Sequence, residues 1–445
     1  MQPDASRDAA KAGKRYVTVR LKFALALIVA SGWAILSYQI AQRWITDLSD
    51  IIGEPLAILV ILGIAILPGF MNAFLVIGLL LDRRPKRVPA PLHPDITIMV
   101  AAYNEESSIL STLKSIEMQH YSGQIEVIVI NDGSTDSTME KLASVSYPWL
   151  HVIDLPKNGG KANALNAGLE RVSSALTITI DADSYLYANA LAHIIGRFLG
   201  DPDNTAAVAG AVLVRNSRLN LATKIQEWDY FHGIAAVKRL QSLFQGTLVA
   251  QGAFSIYRTD VLREVGGWRN CVGEDIVLTW AILEHGYRVG YCEDACLFTN
   301  TPVTFPQFFR QRQRWSRGLI EAFKHHWPLL FRFRMITIFI WWNLLFPFLD
   351  FIYTFTFVPG IVLALFGYYW LAGPMTLLVL PLAMLVNYLI YTIQSRMFTE
   401  QGLKVRNNPV AFVFYALFYG VILQPVCFIG YLSEIFGTRK SWGTK

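Results

Sequence analysis

Two uncharged apolar runs near the start of the chain, Phe23–Ala41 and about Leu56–Leu81, limit what this sequence can become more than any other feature. Each is long enough to cross a hydrocarbon core of about 30 Å as a helix. Lys11, Lys14, Arg15, Arg20 and Lys22 precede the first run, and Arg83, Arg84, Lys86 and Arg87 follow the second. Basic residues on both outer flanks place the N-terminus and everything after Leu81 on the cytoplasmic side. The net charge of +6 therefore reports topology, not nucleic-acid binding. The first run has no small-residue cleavage site followed by polar sequence, so it reads as an anchor and not as a secretory signal. With 53% hydrophobic and 16% charged residues and a mean hydropathy of +0.36, the chain is set apart from disordered proteins and from ordinary soluble enzymes.

From about Leu92 to Asn300 charges return, and short β-branched runs alternate with amphipathic stretches. The pattern predicts strands at Ile96–Val100, Gln124–Ile130, His151–Asp154, Ala175–Ile180 and Ala206–Val214. Helices are predicted near Ser107–Met118, Ser137–Ala143, Lys161–Val172 and Ala190–Phe198. Short connections through helices imply an α/β domain with a mostly parallel sheet, over residues 92–303. Cys271, Cys292, Cys296 and Cys427 are scattered and imply no disulfide framework. Cys292, Cys296 and His285 lack a fourth ligand at zinc-site spacing and read as plain reduced thiols and a histidine.

Residues 304–334, rich in Phe, Trp and Arg, are too charged to span and suit amphipathic helices at the membrane–water interface. Residues 335–445 hold three further apolar blocks: Met335–Leu371, Met375–Ile393 and Val410–Phe436. As one helix the first would be about 55 Å long, nearly twice the core thickness, so a hairpin broken at Pro347 or Pro359 is expected. That makes four spans after the polar domain and six in all, and returns Arg439, Lys440 and Lys445 to the cytoplasm. Arg396, Lys404 and Arg406 would then lie outside, which leaves five spans open. Asn343 and Asp350 inside the first block suit a polymer path as well as a helix–helix contact.

Ligands of a parallel α/β sheet gather at the carboxyl ends of its strands. Three strand ends here carry acids: AAYNEE (101–106), NDGSTD (131–136) and Asp181-Ala182-Asp183. Each alone is compatible with a solvated turn or a helix cap; together they make a site. Asp181 and Asp183 end an apolar strand and are hard oxygen donors of the kind that share Mg²⁺ or Mn²⁺ with phosphate. The Asn158–Lys161 sequence NGGK opens a helix that can face an anion. Ala162 follows Lys161 in place of Ser or Thr, so this is no Walker A loop. Glu274–Asp275 at a helix start can be a dipole partner, and the RQRQRW run of Arg310–Trp315 an interfacial anchor.

The order AYNE, NDGSTD, DAD, GED, QRQRW resembles the membrane-integrated processive glycosyltransferases of family 2, the group of poly-β-1,6-N-acetylglucosamine, hyaluronan, chitin-oligosaccharide and cellulose synthases. The resemblance covers Ile96–Arg317. It implies a cytosolic GT-A (Rossmann-like) domain between N- and C-terminal transmembrane helices. It assigns Ala102, Tyr103, Glu105, Asp132, Lys161, Asp181 and Arg314 to a UDP-sugar donor, and Asp183 with Asp181 to the metal. Asp275, with Glu274 beside it, supplies the general base; Gln251, Gly252, Gln311 and Trp315 face the acceptor. Gln251 stands where the family more often has Ser. The terminal Trp442–Lys445 sequence WGTK resembles a gating segment of hyaluronan synthases, with Lys in place of the usual Arg.

The implied function is inverting, processive transfer from a UDP-sugar, UDP-N-acetylglucosamine before others, to a growing β-linked polysaccharide. The polymer would pass across the cell's inner (plasma) membrane through the enzyme's own spans. Mg²⁺ or Mn²⁺ is the implied cofactor; the bilayer is a partner, and a small accessory membrane subunit is compatible. One base without a second nucleophile fits a single displacement with inversion. Two enzyme alternatives stand beside it: a β-glucan or hyaluronan-type synthase, and a non-processive transferase to a polyprenyl phosphate. A non-enzymatic membrane scaffold or transporter would leave the convergence of acids at strand ends unexplained.

Overall fold

The computed structural model describes residues 17–82, 93–400, 402–404 and 408–438. The basic flanks Lys11, Lys14, Arg15, Arg83, Arg84, Lys86 and Arg87, together with Arg406, Arg439, Lys440 and the WGTK segment, lie outside the described residues. The first elements among the described residues are two helices, α1 (Val19–Ile52) and α2 (Glu54–Leu81). The polar domain follows in the order β1 (Ile96–Ala102), α3 (Ile109–Glu117), β2 (Ile125–Asn131), α4 (Thr138–Ala143), β3 (Leu150–Asp154), α5 (Lys161–Leu169), β4 (Leu176–Ile180), β5 (Tyr185–Leu186), α6 (Ala190–Gly200) and β6 (Thr205–Val214). A long helix α7 (221–243) interrupted by a π turn at Asp229–Ile234 leads to β7 (Phe254–Arg258), α8 (Thr259–Glu264), α9 (Glu274–Glu284) and β8 (Arg288–Thr299). Then come α10 (Phe305–His326) and three apolar helices, α11 (Thr337–Leu365), α12 (Pro374–Glu400) and α13 (Pro409–Ile435).

The eight strands form one sheet in the order β3-β2-β1-β4-β7-β6-β8-β5. β3, β2, β1 and β4 are parallel, as the short helical connections require. Beyond β4 the sheet stays mostly parallel, β6 and β8 running with β1 to β4, and two reversed strands make it mixed. β7 runs antiparallel to both β4 and β6, and β5 runs antiparallel to β8. α7 connects β6 to β7, and β7 starts beside the end at which β6 finishes, so it runs in reverse. β7 and β8 were not read from the pattern. β8 is split by a register shift in which Gly210 pairs with Cys292 but Ala211 with Cys296, and the bulged residues include Glu293 and Asp294. Such a bulge destroys the period-two signal.

Four helices among the described residues are long and apolar enough to cross a membrane: α1, α2, α11 and α13. The hairpin expected in Met335–Leu371 does not form. Pro347 lies inside a continuous 29-residue helix that runs to Leu365, and Pro359 sits just past a π turn at Tyr353–Phe357. α2 repeats the device, with a π turn at Leu62–Ile66 just ahead of Pro68. The wider turn makes room for the proline ring and absorbs the missing N–H, so the helix continues where proline would otherwise break it. The region therefore contributes three long helices where four spans were expected. Across α11 and α13, Tyr431 donates to the buried Asp350 carboxylate at 3.0 Å, a helix–helix contact. Asn343 donates to the Phe339 carbonyl of its own helix at 2.9 Å.

The apolar helices and the polar domain share one core. Phe74 of α2 meets Phe23, Phe244 and Phe339 at ring-centroid distances of 5.7, 5.5 and 5.9 Å. Buried aromatic packing of this kind adds about 0.5–1.5 kcal/mol per pair beyond area burial, and here it seats one sheet face on the helices. The other face is covered by α3 and α6, whose Leu113, Ile116, Leu191 and Ile195 are buried against Ile98, Val100 and Ile178. Within residues 304–334 the chain forms α10 and a short 3₁₀ turn at Trp327–Phe331. α10 opens on a Thr304–Gln307 capping box, carries Arg and Gln along its length and presses Ser316 against Gly430 of α13.

Candidate active site

The strand-end turns are stitched into one rim by backbone-to-side-chain bonds. The Asn104 amide donates to Ser134 Oγ at 2.9 Å, the Thr135 amide to Asn104 Oδ1 at 2.8 Å, and the Glu105 amide to Thr138 Oγ1 at 2.8 Å. Asn104 has φ of 55°, a left-handed conformation that asparagine tolerates. The buried Asp132 carboxylate accepts from the amides of Gly159 and Gly160, both at 2.8 Å, and so fixes the NGGK turn ahead of α5. Gly133 has φ of +67°, and a β-carbon there would lie 2.6 Å from the Lys157 carbonyl carbon. Gly133→Ala is therefore expected to destabilise the fold by about 1–3 kcal/mol, visible as a lowered thermal unfolding midpoint. An unchanged midpoint would mean that the two turns can move apart without penalty.

Lys161, the first residue of α5, joins three elements. Its Nζ hydrogen-bonds the Asp181 carboxylate at the end of β4 and lies 3.8 Å from Glu274 Oε1 at the start of α9. Burial alone would lower the lysine pKa, but Asp181, Glu274 and Asp275 together hold it above its ordinary value. Burial pushes the Glu274 carboxyl up to about 7, with Lys161 opposing and Asp275 reinforcing the shift. A β-carbon on Gly252 would lie 2.7 Å from Lys161 Nζ, so glycine at 252 is what lets the amine reach both acids. The role expected of Gly252 in facing the acceptor thus has a structural companion that the sequence did not show.

Asp183 makes longer contacts, its Oδ1 accepting from Thr299 Oγ1 and Ser184 Oγ at 3.4 Å. Asp181 and Asp183 together offer the hard, anionic oxygens that Mg²⁺ or Mn²⁺ takes when phosphate completes its shell. The donor set fits such an ion. No cluster of three or more His, Cys, Asp or Glu residues suited to a metal occurs among the described residues. The cysteines are free thiols, and Cys292 donates to Asp294 Oδ1 at 3.0 Å.

Asp275 is half-buried on the first turn of α9, with Oδ1 accepting from the Ile276 amide at 2.8 Å. Arg314 of α10 has no hydrogen bond or ion pair among the described residues, and it lies close enough to lower the Glu274 pKa. Gln311 is buried with Oε1 unpartnered. Trp315 is 39% exposed, its ring 6.1 Å from Tyr230 and 4.0 Å from the Arg312 guanidinium carbon. Arg312, given no role from sequence, is buried and pairs with Asp229 at 2.9 Å, and Tyr419 donates to the same carboxylate oxygen at 2.9 Å. The π turn that carries Asp229 and Tyr230 was not foreseen; the polar-aromatic run WDYFH at 228–232 is its only trace in the sequence. Gln251 spends its amide on the Gly210 carbonyl at 2.5 Å. Tyr103 and the Ala102 carbonyl, which accepts from Asp132 N at 2.8 Å, flank the rim. One Glu105 oxygen accepts from Ser108 Oγ at 2.6 Å.

A mixed sheet of this order, with acids at its strand ends and Lys161 joining one of them to Glu274, is of the GT-A type. The chain belongs to glycosyltransferase-like family 2, whose family model matches residues 93–318. Poly-β-1,6-N-acetyl-D-glucosamine synthase of Staphylococcus aureus strain COL is 31% identical over 263 residues, 56% of this chain and 63% of that protein. The enzyme of the same name from Staphylococcus epidermidis is 32% identical over 238 residues, 53% of this chain and 57% of that protein. The chain thus spans about three-fifths of the length of these curated relatives. In fold it is similar to the mannosyltransferase PcManGT of Pyrobaculum calidifontis, solved with GDP-Man and Mn²⁺, with a TM-score of 0.55, 17% identity, and coverage of 95% of this chain and all of that one.

Proposed function

We propose that this protein transfers N-acetylglucosamine from UDP-N-acetylglucosamine to the end of a growing β-linked polysaccharide, and that the polymer leaves across the membrane through the enzyme's own apolar helices. The carrying observation is the position of α10. The helix that carries Gln311, Arg314 and Trp315 meets the Gly273 turn just ahead of Asp275 and packs along α13, one of the helices long enough to cross a membrane. A half-exposed tryptophan on that helix suits a product that stays bound between additions. The names of the curated relatives support the sugar.

In this reading residues 92–303 form the cytosolic catalytic domain of a multi-pass inner-membrane protein. The AYNE and NDGSTD turns hold the uridine, and Lys161 with Arg314 faces the diphosphate. Asp181 and Asp183 would hold Mg²⁺ or Mn²⁺, which when bound neutralises charge on the departing diphosphate. Asp275 takes the acceptor hydroxyl proton as the oxygen bonds to the anomeric carbon and the bond to UDP breaks, with inversion. Glu274, neighbour of the base, keeps Lys161 at the site.

The test is the purified chain in nanodiscs with a panel of labelled sugar nucleotides, Mg²⁺ or Mn²⁺, and hydrolases of known specificity. A long polymer cut by a β-N-acetylglucosaminidase is expected. Trp315→Ala removes roughly 1–3 kcal/mol of stacking and burial for the terminal sugar, so the product is expected to shorten or vanish while donor binding persists. A product of one sugar on a lipid phosphate, unchanged by Trp315→Ala, would overturn processivity and favour the polyprenyl-phosphate reading.

A further inference from the structure

α10 and the turn that carries the acids of α9 meet through bare backbone. A β-carbon on Gly318 would lie 2.8 Å from the Gly273 Cα, and one on Gly273 would overlap Gly318, so only glycine fits on both sides of the crossing. One helical turn further along α10, the Glu321 carboxylate, 2% exposed, accepts from the Gly273 amide at 2.8 Å. Gly273 is the N-cap residue of α9 and no side chain caps that helix from within. Glu321 therefore supplies, from another helix, an anion for the amide end of α9.

Glu274 and Asp275 are the next two residues after Gly273. On α10 the positions 311, 314, 318 and 321 advance by three, four and three, which places them on one stripe of the helix. The stripe that carries Gln311 and Arg314 is thus the stripe that grips the Gly273 turn. α10 is itself held from behind, where Lys324 Nζ lies 2.8 Å and Arg317 Nε 3.3 Å from Glu434 of α13.

We propose that Gly318 and Glu321 are positioning residues, holding the Gly273–Asp275 turn in register with Arg314 so that base and leaving-group cation keep a fixed separation. This rests on the reading of Asp275 as base given above. Neither residue touches substrate. Their effect runs through the turn, and a displacement of about 1 Å between reacting groups costs roughly 10²-fold in rate.

The experiment compares the full chain in nanodiscs with Glu321→Ala, Glu321→Gln and Gly318→Ala. It measures UDP release against donor concentration, and amide hydrogen exchange over residues 271–280. Glu321→Ala is expected to lower kcat by about 10-fold or more with donor KM within about twofold, and to speed exchange in the Gly273 turn. Glu321→Gln still offers an oxygen to the Gly273 amide, so it should keep most of the kcat and the slow exchange. Gly318→Ala should lower kcat at constant KM. If Glu321→Ala does not fold, the other two variants decide in the same way. Wild-type kcat and exchange in Glu321→Ala, equal losses in the Ala and Gln variants, or a rise in KM at constant kcat would each overturn the proposal. A wild-type chain that releases UDP from no sugar nucleotide refutes the proposed function instead, and the exchange of the turn then decides the Glu321 contact alone.

Discussion

Replacing Asp275 by Asn is expected to reduce turnover by about 10²-fold or more while leaving donor affinity nearly unchanged. The side chain keeps its volume, and its Oδ1 can still accept from the Ile276 amide, the bond that orients the group in the wild type. What disappears is the capacity to take a proton. Lys161 is bonded to Asp181 and lies near Glu274, so the cation that would face the diphosphate does not depend on Asp275 for a hydrogen bond. Steady-state kinetics with UDP detection, together with calorimetric titration of UDP-sugar, separates the two effects. Collapse of donor affinity with turnover kept at saturation would make Asp275 a binding residue. Glu274→Gln is the useful contrast, because it removes a carboxylate from beside Lys161 and should act on donor binding as well as on turnover.

Asp183→Asn is expected to abolish transfer to below about one part in 10² while expression and thermal unfolding stay as in the wild type. Asp183 Oδ1 accepts from the hydroxyls of Thr299 and Ser184 at 3.4 Å, contacts that an amide oxygen can keep. Asp183 supplies, with Asp181, the hard anionic oxygens that a divalent cation takes beside phosphate. EDTA should silence the wild-type chain, and Mg²⁺ or Mn²⁺ should restore it. Full activity in EDTA or in the Asn variant would remove the metal from the reading. The pair of variants is informative together: loss in Asp275→Asn tracks the proton, and loss in Asp183→Asn tracks the charge of the departing diphosphate.

The sequence by itself determined the elements that local patterning encodes. The runs now seen as α1 and α2 are visible by uncharged apolar length, the strands β1 to β4 and β6 as short apolar, β-branched runs, and the helices α3 to α6 as the stretches between them. The acids of the site were legible too, since they stand directly after strands whose ends must converge in a parallel sheet. Tertiary structure alone decided what depends on partners distant in the chain. β8 is hidden by its own bulge and gains its place only beside β6. Pro347 and Pro359 read as breaks, yet one stays within the helix and the other is absorbed by a π turn, an outcome set by packing and not by proline propensity. Lys161 between Asp181 and Glu274, Arg312 on Asp229, and Glu321 on the Gly273 amide join residues separated by 20 to 113, 83 and 48 positions. No window of sequence contains the long-range partners, and a charge shows its partner only when the chain between them is folded.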